Sequence, residues 1–330
     1  MFYLFVAAGL FLLLAGGDAL VRGAVGLAKL LGVSPLVISL TIVAYGTSAP
    51  ELLVSLDAFL SGAPDIAVGN VVGSNIANIL LIVSCGALIS PMTWQRGAMR
   101  VDNTVMLAAS AALVLLGLGS GLLTVWSGSA MLALLAAYTV WQYRAARRWR
   151  SRPDGGTGLR TGECTPAKAK TTSLWRPLLT LLCGLIGVSA GSHLLVTGAV
   201  GLAQNFGIPE ATIGLTLVAV GTSLPELATT LVAACRRHAD VALGNVVGSN
   251  IFNILGILGL VPVFGTLRIP ESMIAVDLWV MLGTTVLFVA WMTARRSFGR
   301  GLGALSLIAY AAYILYQYSG APNIPITPVN

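Results

Sequence analysis

Residues 44–53 read AYGTSAPELL. The stretch lies inside a long apolar run, yet Gly46, Pro50 and Glu51 are residues that a buried helix should avoid. The same text returns 175 residues later without a gap. LTIVAYGTSAPEL (40–52) aligns with LTLVAVGTSLPEL (215–227), and GNVVGSNIANIL (69–80) with GNVVGSNIFNIL (244–255). From Ile38 to Leu80, 26 of 43 positions are identical to their partners, which marks an internal repeat. The shift also aligns GAVGLA (23–28) with GAVGLA (198–203), and Asp102 with Asp277.

Of 330 residues, 56% are hydrophobic and 9% charged, whereas soluble domains carry about 25% charged residues. Apolar stretches of membrane-spanning length recur near 2–30, 35–60, 66–89, 101–119, 124–143, 174–204, 208–234, 240–262, 273–292 and 302–319. The expected fold is an all-α integral membrane protein with ten transmembrane helices, not a water-soluble helical core. Residues 1–143 hold the first repeat and 174–330 the second. Residues 144–173 form a basic linker rich in Arg, Lys, Gly and Pro. Five spans per half is an odd number, so the halves must run in opposite orientations, the inverted-topology layout of secondary transporters.

The charge of +7 follows topology rather than nucleic acid, and no nucleic-acid partner is expected. With the linker in the cytoplasm, 17 of the 19 Lys and Arg residues fall on one side. The chain then sits in the plasma (inner) membrane with both termini outside. MFYLFVAAGLFLLLAGG lacks a basic leader and reads as a retained first span. Cys85, Cys164, Cys183 and Cys235 show no CxxC spacing and read as free, small apolar residues.

A carboxylate at mid-membrane depth costs about 2.5–3.5 kcal/mol on insertion scales and marks ion pathways. Glu51 and Glu226 hold equivalent positions in spans 2 and 7, and inverted symmetry brings such positions together near the midplane. Two carboxylates so close call for a cation between them. Oxygen ligands suit hard ions such as Ca²⁺ or Na⁺, and the absence of Cys or His from the motif argues against zinc or copper. Gly46 and Pro50, with Gly221 and Pro225, predict discontinuous helices 2 and 7. The break should free carbonyls near Ala44 and Ala219 for an ion. Thr47, Ser48, Thr222 and Ser223 add hydroxyl oxygens. Ser48-x-x-Glu51 is also a capping box, but capping does not require the same costly acid twice.

Asn70, Ser74 and Asn78 recur every four residues and form a polar stripe on span 3, repeated by Asn245, Ser249 and Asn253 on span 8. Ser74, Asn78, Ser249 and Asn253 are expected to ligate ion or water. Packing is at least as good a reading for Asn70, Asn75, Asn245 and Asn250. Gly69 with Gly73, and Gly244 with Gly248, form GxxxG pairs that allow close helix approach.

GTSAPE followed by GNVVGSNIANIL, then GTSLPE followed by GNVVGSNIFNIL, closely resembles the alpha-repeats of sodium/calcium exchangers, in the calcium/cation antiporter superfamily. The chain resembles the compact prokaryotic form, without the long regulatory loop of animal exchangers. The resemblance implies ion ligands at Thr47, Ser48, Glu51, Ser74 and Asn78 with the Ala44 carbonyl, and at Thr222, Ser223, Glu226, Ser249 and Asn253 with the Ala219 carbonyl. Glu51 and Glu226 would be the principal calcium carboxylates. It also implies that spans 1 and 6 move against the remaining bundle. Two departures matter. Asn253 stands where many relatives carry Asp, which argues against potassium co-transport. His193 stands where symmetry with Asp18 predicts an acid, and reads as a structural histidine near a helix–helix contact, with pH sensing as the alternative.

The expected function is an antiporter, not an enzyme, that extrudes Ca²⁺ electrogenically on the sodium gradient. It needs no cofactor. Its partners are the lipid bilayer and the calcium and sodium ions, and one chain suffices as a monomer. Proton-coupled calcium exchange is the alternative, since carboxylates also take protons. A cation channel would need a ring of subunits, which a paired site within one chain does not. A non-transporting scaffold would not repay the buried acids.

Overall fold

The computed structural model describes residues 1–95, 97–150, 174–206 and 221–320. Its helices are α1 (Phe2–Leu31), α2 (Pro35–Leu60), α3 (Pro64–Ile89), α4 (Arg100–Gly119), α5 (Val125–Arg150), α6 (Trp175–Asn205), α7 (Leu224–Cys235), α8 (Ala239–Val263), α9 (Met273–Ala294) and α10 (Arg300–Gly320). Among the described residues, α1–α4, α6, α8 and α9 are each long and apolar enough to cross a bilayer, and α7 is a shorter apolar helix. Helix α5 runs past the expected end at 143, because RAARRWR holds no helix breaker before Pro153. Most of the expected linker, including Cys164, lies outside the described residues. Cys85, Cys183 and Cys235 are free thiols.

Helix α8 occupies the centre. Every residue from Val241 to Ile251 is buried, the polar Asn245, Ser249 and Asn250 included. Its glycines let α2 come close. A Cβ on Gly248 would lie 2.4 Å from the Leu40 carbonyl oxygen, and one on Gly244 3.1 Å from that of Leu36.

Helices α1 and α6 pack antiparallel along their length. Gly9, Gly16 and Gly23 recur every seven residues on α1, and their repeat counterparts Gly184, Gly191 and Gly198 do so on α6. A Cβ on Gly23 would meet the Leu181 nitrogen at 2.5 Å, and one on Gly9 the Leu195 nitrogen at 2.5 Å. From the other side, a Cβ on Gly184 would meet the Leu20 nitrogen at 2.4 Å. Only glycine lets two backbones meet at this range, and in lipid such contact is a main source of helix association. Because Gly191 faces α1 and Ser192 donates to the Gly221 carbonyl at 2.6 Å, the next side chain turns outward. His193 is therefore exposed, not seated in a helix contact.

Four two-residue strands, not expected of an all-α chain, tie the loops. β1 (Met92–Thr93) pairs antiparallel with β4 (Ser297–Phe298), and β2 (Leu122–Leu123) with β3 (Leu267–Arg268). Each pairing joins the two halves. β1 follows α3 and β4 follows α9, so those helices end on one side. β2 follows α4 and β3 follows α8, so those end together as well.

A second repeated feature holds α4 to α5. Asp102, on the first turn of α4, accepts a hydrogen bond from Tyr138 Oη at 2.8 Å and another from Gln142 Nε2. In the second half Asp277 accepts from Tyr313 Oη at 2.8 Å and from Gln317 Nε2. The buried carboxylate gains the donors that burial requires.

Candidate ion site

Helix α2 is interrupted twice. A π-helical turn spans Ser39–Val43, and the helix that follows stops at Thr47, with Ser48 at φ −85° and ψ 7°. It resumes at Ala49, which puts Pro50 and Glu51 in a first turn. Helix α7 repeats this. Ser223 has φ −89° and ψ 6°, and Pro225 and Glu226 lie in the first turn that follows. Proline is well suited there, since a first-turn N–H has no helical partner. Ala219 lies outside the described residues.

Glu51 and Glu226 are both buried, at 1% and 0% exposure. Their serines cross over between the halves. Ser48 Oγ donates to Glu226 Oε1 at 2.8 Å, and Ser223 Oγ donates to Glu51 Oε1 at 3.2 Å. Neither serine caps its own helix. The capping box read from Ser48-x-x-Glu51 is therefore not formed, because the other half offers the serine a carboxylate.

The remaining residues close around this pair. Ser223 Oγ lies 3.3 Å from Ser74 Oγ. Ser249 Oγ reaches the Ala44 carbonyl at 3.5 Å, and Thr47 Oγ1 reaches the same oxygen at 3.2 Å. That carbonyl also accepts the Ser48 N–H at 3.0 Å. The break does not free the Ala44 carbonyl, because a single non-helical residue keeps the hydrogen bond four residues back.

The asparagines differ in the partners they find. Asn70 Nδ2 donates to the Glu51 carbonyl at 3.1 Å and to Ser55 Oγ at 2.9 Å, and its Oδ1 accepts from Thr222 Oγ1 at 3.4 Å. Asn245 Oδ1 accepts from Thr47 Oγ1 at 3.1 Å. Asn250 Oδ1 accepts from Asn78 Nδ2 at 2.9 Å, which leaves Asn78 Oδ1 bare. Asn70, Asn245 and Asn250 thus hold the site's hydroxyls and amides in place. Asn75 bonds its own helix, donating to the Val71 carbonyl at 2.7 Å.

Asn78 and Asn253 each begin a π-helical turn, Asn78–Ile82 and Asn253–Ile257. Such turns recur at functional sites. Among buried side-chain atoms without a hydrogen-bond partner are Glu51 Oε2, Glu226 Oε2, Asn78 Oδ1 and both amide atoms of Asn253. Buried polar atoms are ordinarily satisfied, so these atoms are open to a further partner. Among the described residues there is no cluster of three or more His, Cys, Asp or Glu side chains. The donor set is oxygen from two carboxylates, hydroxyls and amides, which suits a hard cation and not a soft one.

The family model described as sodium/calcium exchanger protein matches residues 1–144 and 176–319. The chain belongs to the sodium/calcium exchanger family. Within it, the sodium/calcium exchanger MaX1 of Methanosarcina acetivorans is 32% identical over 344 residues, covering 96% of this chain and 98% of that protein. The inner membrane protein YrbG of Escherichia coli is 36% identical over 318 residues, covering 95% and 96%. The solved sodium-calcium exchanger NCX_Mj superposes with a TM-score of 0.80 at 32% identity, covering 95% of this chain and 97% of that one. Membership makes this exchanger a multi-pass membrane antiporter of the cation/calcium kind, with exchangers rather than enzymes as its relatives.

Proposed function

We propose that this protein exchanges sodium for calcium by alternating access at one site built from both halves of the repeat. The observation that carries the reading is the crossed pair of Ser–Glu hydrogen bonds, which leaves one bare oxygen on each glutamate. The ion ligands are the side chains of Thr47, Ser48, Glu51, Ser74 and Asn78, and of Thr222, Ser223, Glu226, Ser249 and Asn253. Calcium is held chiefly by Glu51 and Glu226. One Ca²⁺ neutralises the two carboxylates, whereas more than two Na⁺ leave the site positive. Exchange is then electrogenic and responds to membrane potential. Competition for shared oxygens couples the two fluxes, and a sodium gradient directed inward extrudes calcium. The neutral Asn253 adds an oxygen without charge, which favours potassium-independent exchange.

The membrane arrangement is ten spans in two inverted halves, 1–143 and 174–330, joined by a cytoplasmic linker, with both termini outside. The antiparallel run of α1 along its repeat counterpart α6 supports the inversion. So do the strand pairings, in which α3 ends beside α9 and its repeat counterpart α8 ends beside α4. The glycine contacts also support α1 and α6 moving as one body. All ligands come from one chain, so a monomer suffices.

The test is calcium uptake into sodium-loaded proteoliposomes diluted into sodium-free medium at clamped pH. Uptake should collapse when sodium is present on both sides. Uptake that follows an imposed proton gradient and ignores sodium would overturn the coupling.

A further inference from the structure

The two halves are not in equivalent environments. Helix α1 lies along α7, where a Cβ on Gly17 would sit 3.3 Å from the Ala228 carbonyl oxygen. Among the described residues, α6 makes no equivalent run along Ala49–Leu60 of α2. Accessibility follows this difference. Ala228 is 6% exposed, whereas its repeat counterpart Leu53 is 66% exposed. In an inverted repeat the alternate state is reached when each half adopts the environment of the other. The structure thus holds one end of the molecule closed, the end at which α7 meets α8.

That end carries an ion pair. Asp18 of α1 receives Arg22 Nη2 on Oδ2 at 2.6 Å and the Arg236 guanidinium on Oδ1. Arg236 belongs to the turn between α7 and α8, so the contact spans the interface that must part. Lys29 and His238 lie near enough to act on the same turn electrostatically. The repeat counterparts of Asp18, Arg22 and Arg236 are His193, Thr197 and Ser61. They cannot form an equivalent pair when the other end closes. The turn itself is also one-sided. Arg237 holds φ 58°, where its counterpart is Gly62 at φ 80°. Keeping a side chain in that left-handed conformation costs energy that glycine avoids.

We infer that Asp18 and Arg236 form a one-sided ionic latch that biases the transport cycle towards the conformation closed at the α7–α8 end. The inference rests on the inverted-repeat, alternating-access reading above. Asp18 and Arg236 are positioning residues and touch no transported ion. A partly exposed ion pair of this kind shifts a two-state equilibrium by about two- to fivefold.

The test reads conformation and transport separately. In a protein whose four native cysteines are replaced, Ala228→Cys reports opening of the α1–α7 contact through its rate of modification by a soluble maleimide. Asp18→Asn and Arg236→Gln should each raise that rate about two- to fivefold, and the double variant should raise it no further, since either change breaks the same pair. Arg236→Lys should restore most of the protection. Unchanged labelling in both single variants overturns the latch, as do single effects that add in the double variant. Arg236 lies in an exposed turn, so its variant remains informative if Asp18→Asn fails to fold. Sodium-driven calcium uptake is measured on the same samples. A labelling shift without exchange would sink the transport reading and leave the latch standing. Exchange without a labelling shift would do the opposite.

Discussion

Replacing Glu226 with glutamine isolates the charge of the site from its shape. Ser48 Oγ donates to Glu226 Oε1 at 2.8 Å, and a glutamine carbonyl can accept that bond in place. What disappears is the negative charge that includes the bare Oε2. A unit charge pair 4 Å apart at an effective dielectric of 20 is worth about 4 kcal/mol, and a divalent ion doubles it. Stripping water from the ion and the carboxylate returns much of that gain. A net loss of about 3 kcal/mol corresponds to roughly a hundredfold in calcium affinity. The assay is sodium-driven calcium uptake over a range of calcium concentrations, with gel filtration and thermal unfolding as controls for folding. Half-saturation should rise about a hundredfold, or uptake should vanish, with unfolding nearly unchanged. Glu51→Gln should match it, because the two glutamates hold crossed, equivalent positions. A variant that folds and keeps half-saturation within threefold of the parent would show that the Glu226 charge does not hold calcium.

Three further outcomes follow from other parts of the fold. Gly184→Val puts a branched side chain where even a Cβ would lie 2.4 Å from the Leu20 nitrogen. Overpacking of about 1–3 kcal/mol should lower the unfolding temperature in detergent, and an unchanged temperature would show that α1 and α6 do not meet this closely. Tyr138→Phe removes a donor at 2.8 Å from the buried Asp102 carboxylate and should cost about 1–3 kcal/mol of stability, whereas Tyr143→Phe on an exposed face should cost nothing measurable. At the α7–α8 turn, burial, then Arg236, then Lys29 hold the His238 imidazole below its ordinary value of 6.5, with Asp240 opposing. The unfolded chain therefore binds this proton more readily. Its contribution to stability should rise with pH from the depressed folded value up to about 6.5 and level off above it. His238→Gln should flatten that segment of the stability profile, and a profile with the same slope would rule the histidine out as its source.

Much of the site was legible in the sequence because the repeat prints it twice. The recurrence of GTSxPE points to Glu51 and Glu226 as partners, and the crossed serine hydrogen bonds join them. The crossing of Ser48 to Glu226 was not legible. A local pattern places Ser48 with Glu51 as a capping box, and only the tertiary arrangement supplies the competing acceptor. The two π-helical turns at Asn78 and Asn253 were hidden for a similar reason. The residues that follow each asparagine within its turn are apolar or glycine, so nothing in the sequence marks a widened turn. Asn70, Asn245 and Asn250 looked like packing residues, and their partners on Thr222, Thr47 and Asn78 come from the opposite half of the chain. The exposure of His193 is set by the face of α6 that the glycines occupy, which its symmetry with Asp18 does not reveal. Asp18 itself gains its role from Arg236, 218 residues away.

The central claim is that sodium and calcium compete for one site shared between the two halves. Calorimetric titration of calcium into the purified protein at increasing sodium, with potassium absent and pH fixed, tests it directly. One calcium should bind per chain, its apparent affinity should fall steeply with sodium, and the binding signal should be lost in both Glu51→Gln and Glu226→Gln. Calcium binding that is indifferent to sodium, or that keeps the parent's affinity in either variant, would overturn the shared site.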